Sequence, residues 1–319
     1  MKITPNMLHE DLQGMYWPMR MMAGMLSTVW GVKLFHRLSA RSKGAGVDGL
    51  HSDEQYIPSR SGGPDIRVRI FKPRNAAGPL PGFLYLHGGG YVTGVPEIAL
   101  DVIKKFIEGQ PCVIVAPDYR KALAAPYPAA LNDCYDTLLW MKEYAGSLGI
   151  VPDRFIVGGH SAGGGLTAAV ALKAADTGDV DIAFQLPLYP MIDDRQDTPS
   201  AAFVDAPVWN AKTNKLGWGL YLQELLEKNL EIPAYAAPAR AADYAHLPPT
   251  ITFVGDMEPF RDETLAYVDN LKKAEIPVTF KLFTGCFHGF DAVVPEAEIS
   301  RSAWRFVLDA FADHVQRYF

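Results

Sequence analysis

Cysteine is scarce in this chain of 319 residues: Cys112, Cys134 and Cys286 are odd in number and form no Cys-x-x-Cys pair. That argues against a disulfide framework and a thiolate zinc site, and it predicts a cytoplasmic protein in a reducing compartment. Charge of one sign does not accumulate either. The 30 Lys and Arg face 36 Asp and Glu, a net charge of −6 with no long run of one sign. This argues against nucleic acid and against an acidic membrane surface as partners. The uncharged run from Met21 to Val32 is twelve residues, too short to span a bilayer, so no integral membrane segment is expected. As a signal-peptide core it would start late, behind Glu10 and Asp11. No internal repeat is visible. No Gly-Lys-Ser/Thr follows a glycine loop, and Gly163-x-Gly165-x-x-Ala168 only superficially matches a dinucleotide fingerprint. Neither a metal nor an organic cofactor is expected.

What is present is 49% hydrophobic and 21% charged, enough for a large globular core. From Leu8 to Leu38 apolar residues recur at helical spacing, with Met and Trp prominent, predicting a pair of helices laid over the body of the protein. Beyond Ser42–Gly46 the pattern changes. Glu54–Ile57 and Asp65–Phe71 flank Ser61-Gly62-Gly63-Pro64 and predict an antiparallel hairpin. Short apolar runs at 83–86, 113–116, 154–157, 183–188, 250–254 and 278–283 then alternate with helical stretches. Strands alternating with helices predict a doubly wound, mostly parallel sheet with reactive groups at the carboxyl ends of its strands. Residues 193 to 235, rich in Asp, Pro and Trp, interrupt the alternation with a helix expected near Lys215–Lys228. They read as a lid. The division expected is 1–48 and 193–235 as two parts of a helical cap, and 49–192 and 236–319 as two parts of the core.

One stretch organises the rest. Arg154-Phe155-Ile156-Val157 reads as a buried strand and Leu166–Lys173 as a helix. Between them lies Gly159-His160-Ser161-Ala162-Gly163, a Gly-x-Ser-x-Gly elbow. Such a turn needs glycine on both sides because the serine is held in a strained conformation with no room for neighbouring side chains. The pentapeptide alone is weak, arising by chance in about one chain in ten of this length. Context strengthens it. The strand 83–86 runs into His87-Gly88-Gly89-Gly90-Tyr91, whose glycines free backbone N–H groups to converge on one point. The strand 250–254 ends in Gly255-Asp256-Met257-Glu258. The strand 278–283 ends in Thr284-Gly285-Cys286-Phe287-His288-Gly289. Serine, acid and histidine thus follow in the order Ser161, Glu258, His288, at consecutive strand ends, as in α/β-hydrolases. Asp256 and Glu258 both follow one strand, and either could orient His288.

Over most of its length the chain resembles the hormone-sensitive-lipase-like (family IV) bacterial carboxylesterases of the α/β-hydrolase fold. The resemblance is carried by His87-Gly88-Gly89-Gly90, Asp118-Tyr119-Arg120 with Tyr127-Pro128-Ala129-Ala130, Tyr189-Pro190-Met191-Ile192-Asp193, and Phe287-His288-Gly289-Phe290. It implies a serine esterase acting on small esters through an acyl-enzyme, with Ser161 as nucleophile, His288 as base and no cofactor. It further implies oxyanion-hole amides from Gly88, Gly89 and Ala162, with His87 shaping the loop, and a two-part cap. In the family's register, fixed by Pro259-Phe260-Arg261-Asp262-Glu263, the acid's place falls to Glu258. Three departures stand out: His160 where the family usually has Asp, Lys121–Pro126 in place of Leu-Ala-Pro-Glu, and glutamate rather than aspartate as the acid. With Tyr91, Trp209, Trp218, Met25 and Trp30 enclosing a finite pocket, short acyl chains are expected. Amidase or lactonase activity, a catalytically silent binding homologue, and a homodimer are left open.

Overall fold

The computed structural model describes residues 2–76 and 78–319. Eight strands form one sheet: β1 (Leu50–Ile57), β2 (Ile66–Pro73), β3 (Leu80–Leu86), β4 (Val113–Pro117), β5 (Ile150–His160), β6 (Ile182–Leu188), β7 (Thr250–Gly255) and β8 (Val278–Phe283). Their order is β1-β2-β4-β3-β5-β6-β7-β8. The hairpin expected from the sequence is present, with Ile57 opposite Ile66. β2 also runs antiparallel to β4, and every later pairing is parallel. This is the α/β-hydrolase architecture.

The central strands read as nearly continuous apolar runs because helices cover both faces of the sheet. All five residues of β4 and all six of β7 are buried. On one face the core fills with Leu138, Leu166, Val170, Tyr267 and Leu271. On the other, the helices Leu100–Gly109 and Glu298–Tyr318 supply Phe106, Trp304 and Phe311. Phe83 of β3 packs on Phe106 and Phe311, with ring centroids 5.2 and 5.6 Å apart. β1 is the edge. It is mostly exposed and carries Asp53 and Glu54, charges that discourage further strand pairing.

The order β4-β3-β5 places a topological switch at β3, because the chain leaves it on one side and returns on the other. Crevices open at the carboxyl ends of such strands, and β3 and β5 deliver His87 and Ser161 there.

Above this end lie α1 (Tyr16–Leu26) and α2 (Val29–Ser39). Thr28 caps α2 by accepting from the Gly31 amide, 3.1 Å. The helix Ala211–Tyr221 joins them: Thr213 Oγ1 donates to the Ala23 carbonyl over 3.0 Å, and Arg20 pairs with Asp205. This helix begins earlier than the sequence predicts because Asn210 accepts from the amides of Lys212 and Thr213. It ends at Tyr221, and a short separate helix Gln223–Glu227 follows. The connection out of the N-terminal helices is fastened to the core. There Glu97 accepts from the Gly44 amide over 2.9 Å and pairs with Arg69, while Arg69 also donates to the Ala45 carbonyl.

Candidate active site

β5 ends at His160, and Ser161 adopts φ 59° and ψ −124° before a helix that starts at once, Ala162–Thr177. A left-handed backbone angle on a non-glycine residue costs about 1–3 kcal/mol and persists only where the surroundings enforce it. Here they do. A Cβ on Gly159 would come within 2.2 Å of the Leu86 carbonyl oxygen, and one on Gly163 within 2.0 Å of the same atom. The sequence reads Leu166–Lys173 as helix, and the structure carries the helix back through Gly163, Gly164 and Gly165 to Ala162, although glycine disfavours helix. Tertiary contact overrides that preference. Gly165 has Met191 O and Tyr91 Oη only 2.1 Å from where its Cβ would be.

Ser161 Oγ lies 2.9 Å from His288 Nε2, and His288 Nδ1 lies 2.5 Å from Glu258 Oε2. The three are 6%, 4% and 0% exposed. With Nδ1–H given to the carboxylate, Nε2 presents its lone pair to the serine hydroxyl. Glu258 Oε1 accepts from the Gly255 amide over 3.1 Å, which fixes the carboxylate at the end of β7. Asp256 is turned elsewhere: its Oδ1 accepts from the Gly285 amide, 2.6 Å. Burial raises the Asp256 carboxyl above its ordinary value. The His288 ring is held between the edges of Tyr189 and Phe260, with centroids 5.1 and 4.9 Å away.

The loop after β3 faces the serine. Gly89 has φ 129°, and a Cβ there would meet the Thr93 carbonyl oxygen at 2.2 Å. His87 Nδ1 donates to the Gly88 carbonyl over 2.7 Å, and the ring stacks on Tyr119 at 4.4 Å. Tyr119 in turn donates to the His87 carbonyl, 2.8 Å. Burial, then Lys121, holds the His87 imidazole well below its ordinary value, so the ring stays neutral. The described residues supply no acceptor for the amides of Gly88, Gly89 or Ala162. Free N–H groups on a glycine loop and at a helix start are the donors an oxyanion requires.

Beside this loop Tyr91, Trp209 and Trp218 come together. Trp209 lies over Gly90, where a Cβ would be 2.1 Å from the indole, and its Nε1 donates to Asn214 over 3.1 Å. Tyr91 stacks on Tyr221 at 4.0 Å, packs on Trp218 at 5.4 Å and donates to the Met191 carbonyl. One expected pocket residue is placed differently: Trp30 is 69% exposed, and the buried positions of α2 are Gly31 and Val32. Met25 is half-buried at the α1–α2 turn, beside Gly31.

A second polar layer escaped the sequence analysis. His160 Nδ1 shares a 2.6 Å hydrogen bond with the Tyr85 hydroxyl. Burial, then the neighbouring His288, brings His160 down to about 4. Its ring lies 3.0 Å from where a Gly88 Cβ would be, so it backs the oxyanion loop. Asp291, pushed up to about 6 by burial, faces the Tyr189 hydroxyl at 3.5 Å. Glu263 accepts from the amides of Ile192 and Asp193, 2.8 and 3.3 Å, and fixes the start of the 193–235 insertion. The only sequence signal for Glu263 was its place in Glu258-Pro259-Phe260-Arg261-Asp262-Glu263. Tyr85 and Asp291 carried none.

A buried Ser–His–Glu arrangement at the strand ends of this sheet is the constellation of a serine hydrolase on the α/β-hydrolase fold. The profile of the family Abhydrolase_3, described as alpha/beta hydrolase fold, matches residues 83–292. Esterase LipI of Mycobacterium tuberculosis is 32% identical over 272 residues, 79% of this chain and 84% of that protein. Carboxylesterase NlhH of the same species is 33% identical over 238 residues, 73% of this chain and 74% of the relative. Among solved structures, a bacterial heroin esterase superposes with a TM-score of 0.87 at 33% identity, covering 97% of this chain and 98% of its own. The chain belongs to this family, in its hormone-sensitive-lipase-like branch, and is a carboxylic ester hydrolase.

Proposed function

We propose that this protein hydrolyses short-acyl carboxylic esters through an acyl-enzyme on Ser161. His288 takes the serine proton as Oγ attacks the ester carbonyl, then delivers it to the departing alcohol. Water repeats the sequence on the acyl-enzyme and regenerates the serine. Glu258 keeps the imidazole in the required tautomer and stabilises the cation that forms. The amides of Gly88, Gly89 and Ala162 receive the oxyanion, each worth roughly 3 kcal/mol in the transition state. The observation that carries the proposal is the 2.9 Å contact between Ser161 Oγ and His288 Nε2, beside three amides with no acceptor among the described residues.

The acyl preference rests on the wall beside the oxyanion loop. Trp209, Trp218 and Tyr91 are all nearly buried, and Trp209 presses on Gly90, which leaves little depth for a long chain. In this proposal residues 1–48 and 193–235 act together as the cap, and 49–192 with 236–319 as the catalytic core. Hydrolysis of p-nitrophenyl esters from acetate to palmitate, with an anilide and a lactone alongside, tests it. Acetate or butyrate should be turned over fastest. Faster turnover of palmitate, of the anilide or of the lactone would refute the assigned substrate class.

A further inference from the structure

The net charge of −6 averages over two regions of opposite sign. Residues 1–47 hold six Lys and Arg against two Asp and Glu, and the remainder holds 24 against 34. Between Asp11 and Asp48 there is no carboxylate side chain at all. Two of the cations in that interval are engaged: Arg20 with Asp205 and Lys43 with Asp118. Lys33, Arg37 and Arg41 are exposed and form no ion pair among the described residues.

These three are not scattered. Trp30, Lys33, Arg37 and Arg41 recur at helical spacing along α2 and the turn Ala40–Ser42 that continues it, so they share one face. Trp30 on that face is 69% exposed. On α1, Trp17 and Met21 stand one turn apart, 62% and 76% exposed. Two indoles and a thioether held in water on a single helical hairpin are costly, since each would gain free energy by leaving water. Tryptophan beside unpaired Lys and Arg is the combination that favours a lipid–water boundary. The indole lies at headgroup depth while the cations meet anionic headgroups.

We propose that the outward face of the α1–α2 hairpin docks on an anionic phospholipid surface. It does so peripherally, since no helix among the described residues is long and apolar enough to cross a membrane. Charge complementarity selects this occupant over a second copy of the chain: two copies meeting through this face would oppose like charges. The acidic remainder would be repelled by the same headgroups, which orients the protein with the hairpin toward the lipid. The expectation from net charge that an acidic membrane surface is no partner is thereby reversed for this region alone. The inference does not depend on the hydrolytic proposal.

Co-sedimentation of the full chain with vesicles tests it, using phosphatidylcholine alone and phosphatidylcholine with phosphatidylglycerol. The protein should sediment with the anionic vesicles at low salt and be released at about 0.5 M salt, where screening is short-ranged. The variant Lys33→Glu/Arg37→Glu/Arg41→Glu should bind the anionic vesicles at least about tenfold more weakly. Trp17→Ser/Met21→Ser should weaken binding even at low salt. Thermal unfolding should be unchanged in both variants, since every substituted side chain is exposed. Absence of sedimentation with any vesicle, or equal binding by the wild type and the charge-reversed variant, would overturn the proposal. So would a concentration-dependent dimer that Trp17→Ser/Met21→Ser dissolves in the absence of vesicle binding.

Discussion

A methyl group added to Gly163, at the floor of the site, would come within 2.0 Å of the Leu86 carbonyl oxygen. One added to Gly24, in the roof above it, would meet nothing within 4 Å. The floor is made of backbone pressed on backbone, so its shape is imposed at fixed positions by the smallest residue. The two parts of the roof are held to each other by side-chain contacts, among them Thr213 on the Ala23 carbonyl and Arg20 on Asp205. Within the hairpin only Gly31 is packed as tightly, against the Met25 carbonyl. Chemistry that needs close placement is built where backbone packs on backbone, whereas an exposed helix position such as Gly24 is free of that constraint.

The largest expected effects fall on the floor. Ser161→Ala, His288→Ala and Glu258→Gln should each lower kcat by about a thousandfold or more without unfolding the protein, because the three act as a unit. Asp256→Asn should cost no more than about tenfold, since its carboxylate serves the Gly285 turn and not His288. Steady-state kinetics on a soluble ester checks both, and the reverse order would make Asp256 the acid. Next comes the glycine contrast. Gly163→Ala should destabilise by more than about 3 kcal/mol, since backbone must move to admit the methyl. Gly24→Ala should stabilise by about 0.5–1 kcal/mol through helix propensity. Denaturant unfolding of the pair measures the difference between floor and roof directly.

A smaller effect is expected where the two parts of the roof are joined. Arg20→Ala leaves the buried Asp205 carboxylate without its partner and should cost about 1–3 kcal/mol, while raising KM more than it changes kcat. The smallest is a change of slope with pH. His160 is held at about 4, below its ordinary 6.5, so between those values the unfolded chain binds more protons than the folded one. The His160 contribution to stability should therefore be lost as pH drops through that window, against an opposite contribution from Asp291, whose carboxyl is raised to about 6. His160→Gln should remove that loss, read as the unfolding midpoint from pH 7 to 4.

The same contrast explains what was legible in the sequence. Glycine runs immediately after short apolar runs mark the ends of β3 and β5, because only glycine fits the approaches made there. The histidine and the acid could be placed because each follows a strand by a few residues. The helix start at Ala162 runs against the local propensity of Gly163, Gly164 and Gly165, and is legible only because a strand, serine and helix follow one another in the elbow pattern. Contacts to Leu86 and Met191 hold it. Trp30 was misplaced because helical spacing identifies an amphipathic helix but not which apolar side chains remain in water. Tyr85, His160 and Asp291 lie on separate segments, and only the sheet order brings them behind the triad.

The central claim is that Ser161 is a nucleophile activated by His288 and Glu258. A fluorophosphonate probe tests it most directly, with the modified residue located by peptide mass spectrometry. The wild-type chain should take up one equivalent at Ser161. Ser161→Ala should take up none, and Glu258→Gln should label at the same residue but far more slowly. Labelling that persists in Ser161→Ala, or a wild-type protein that does not label, would contradict the account.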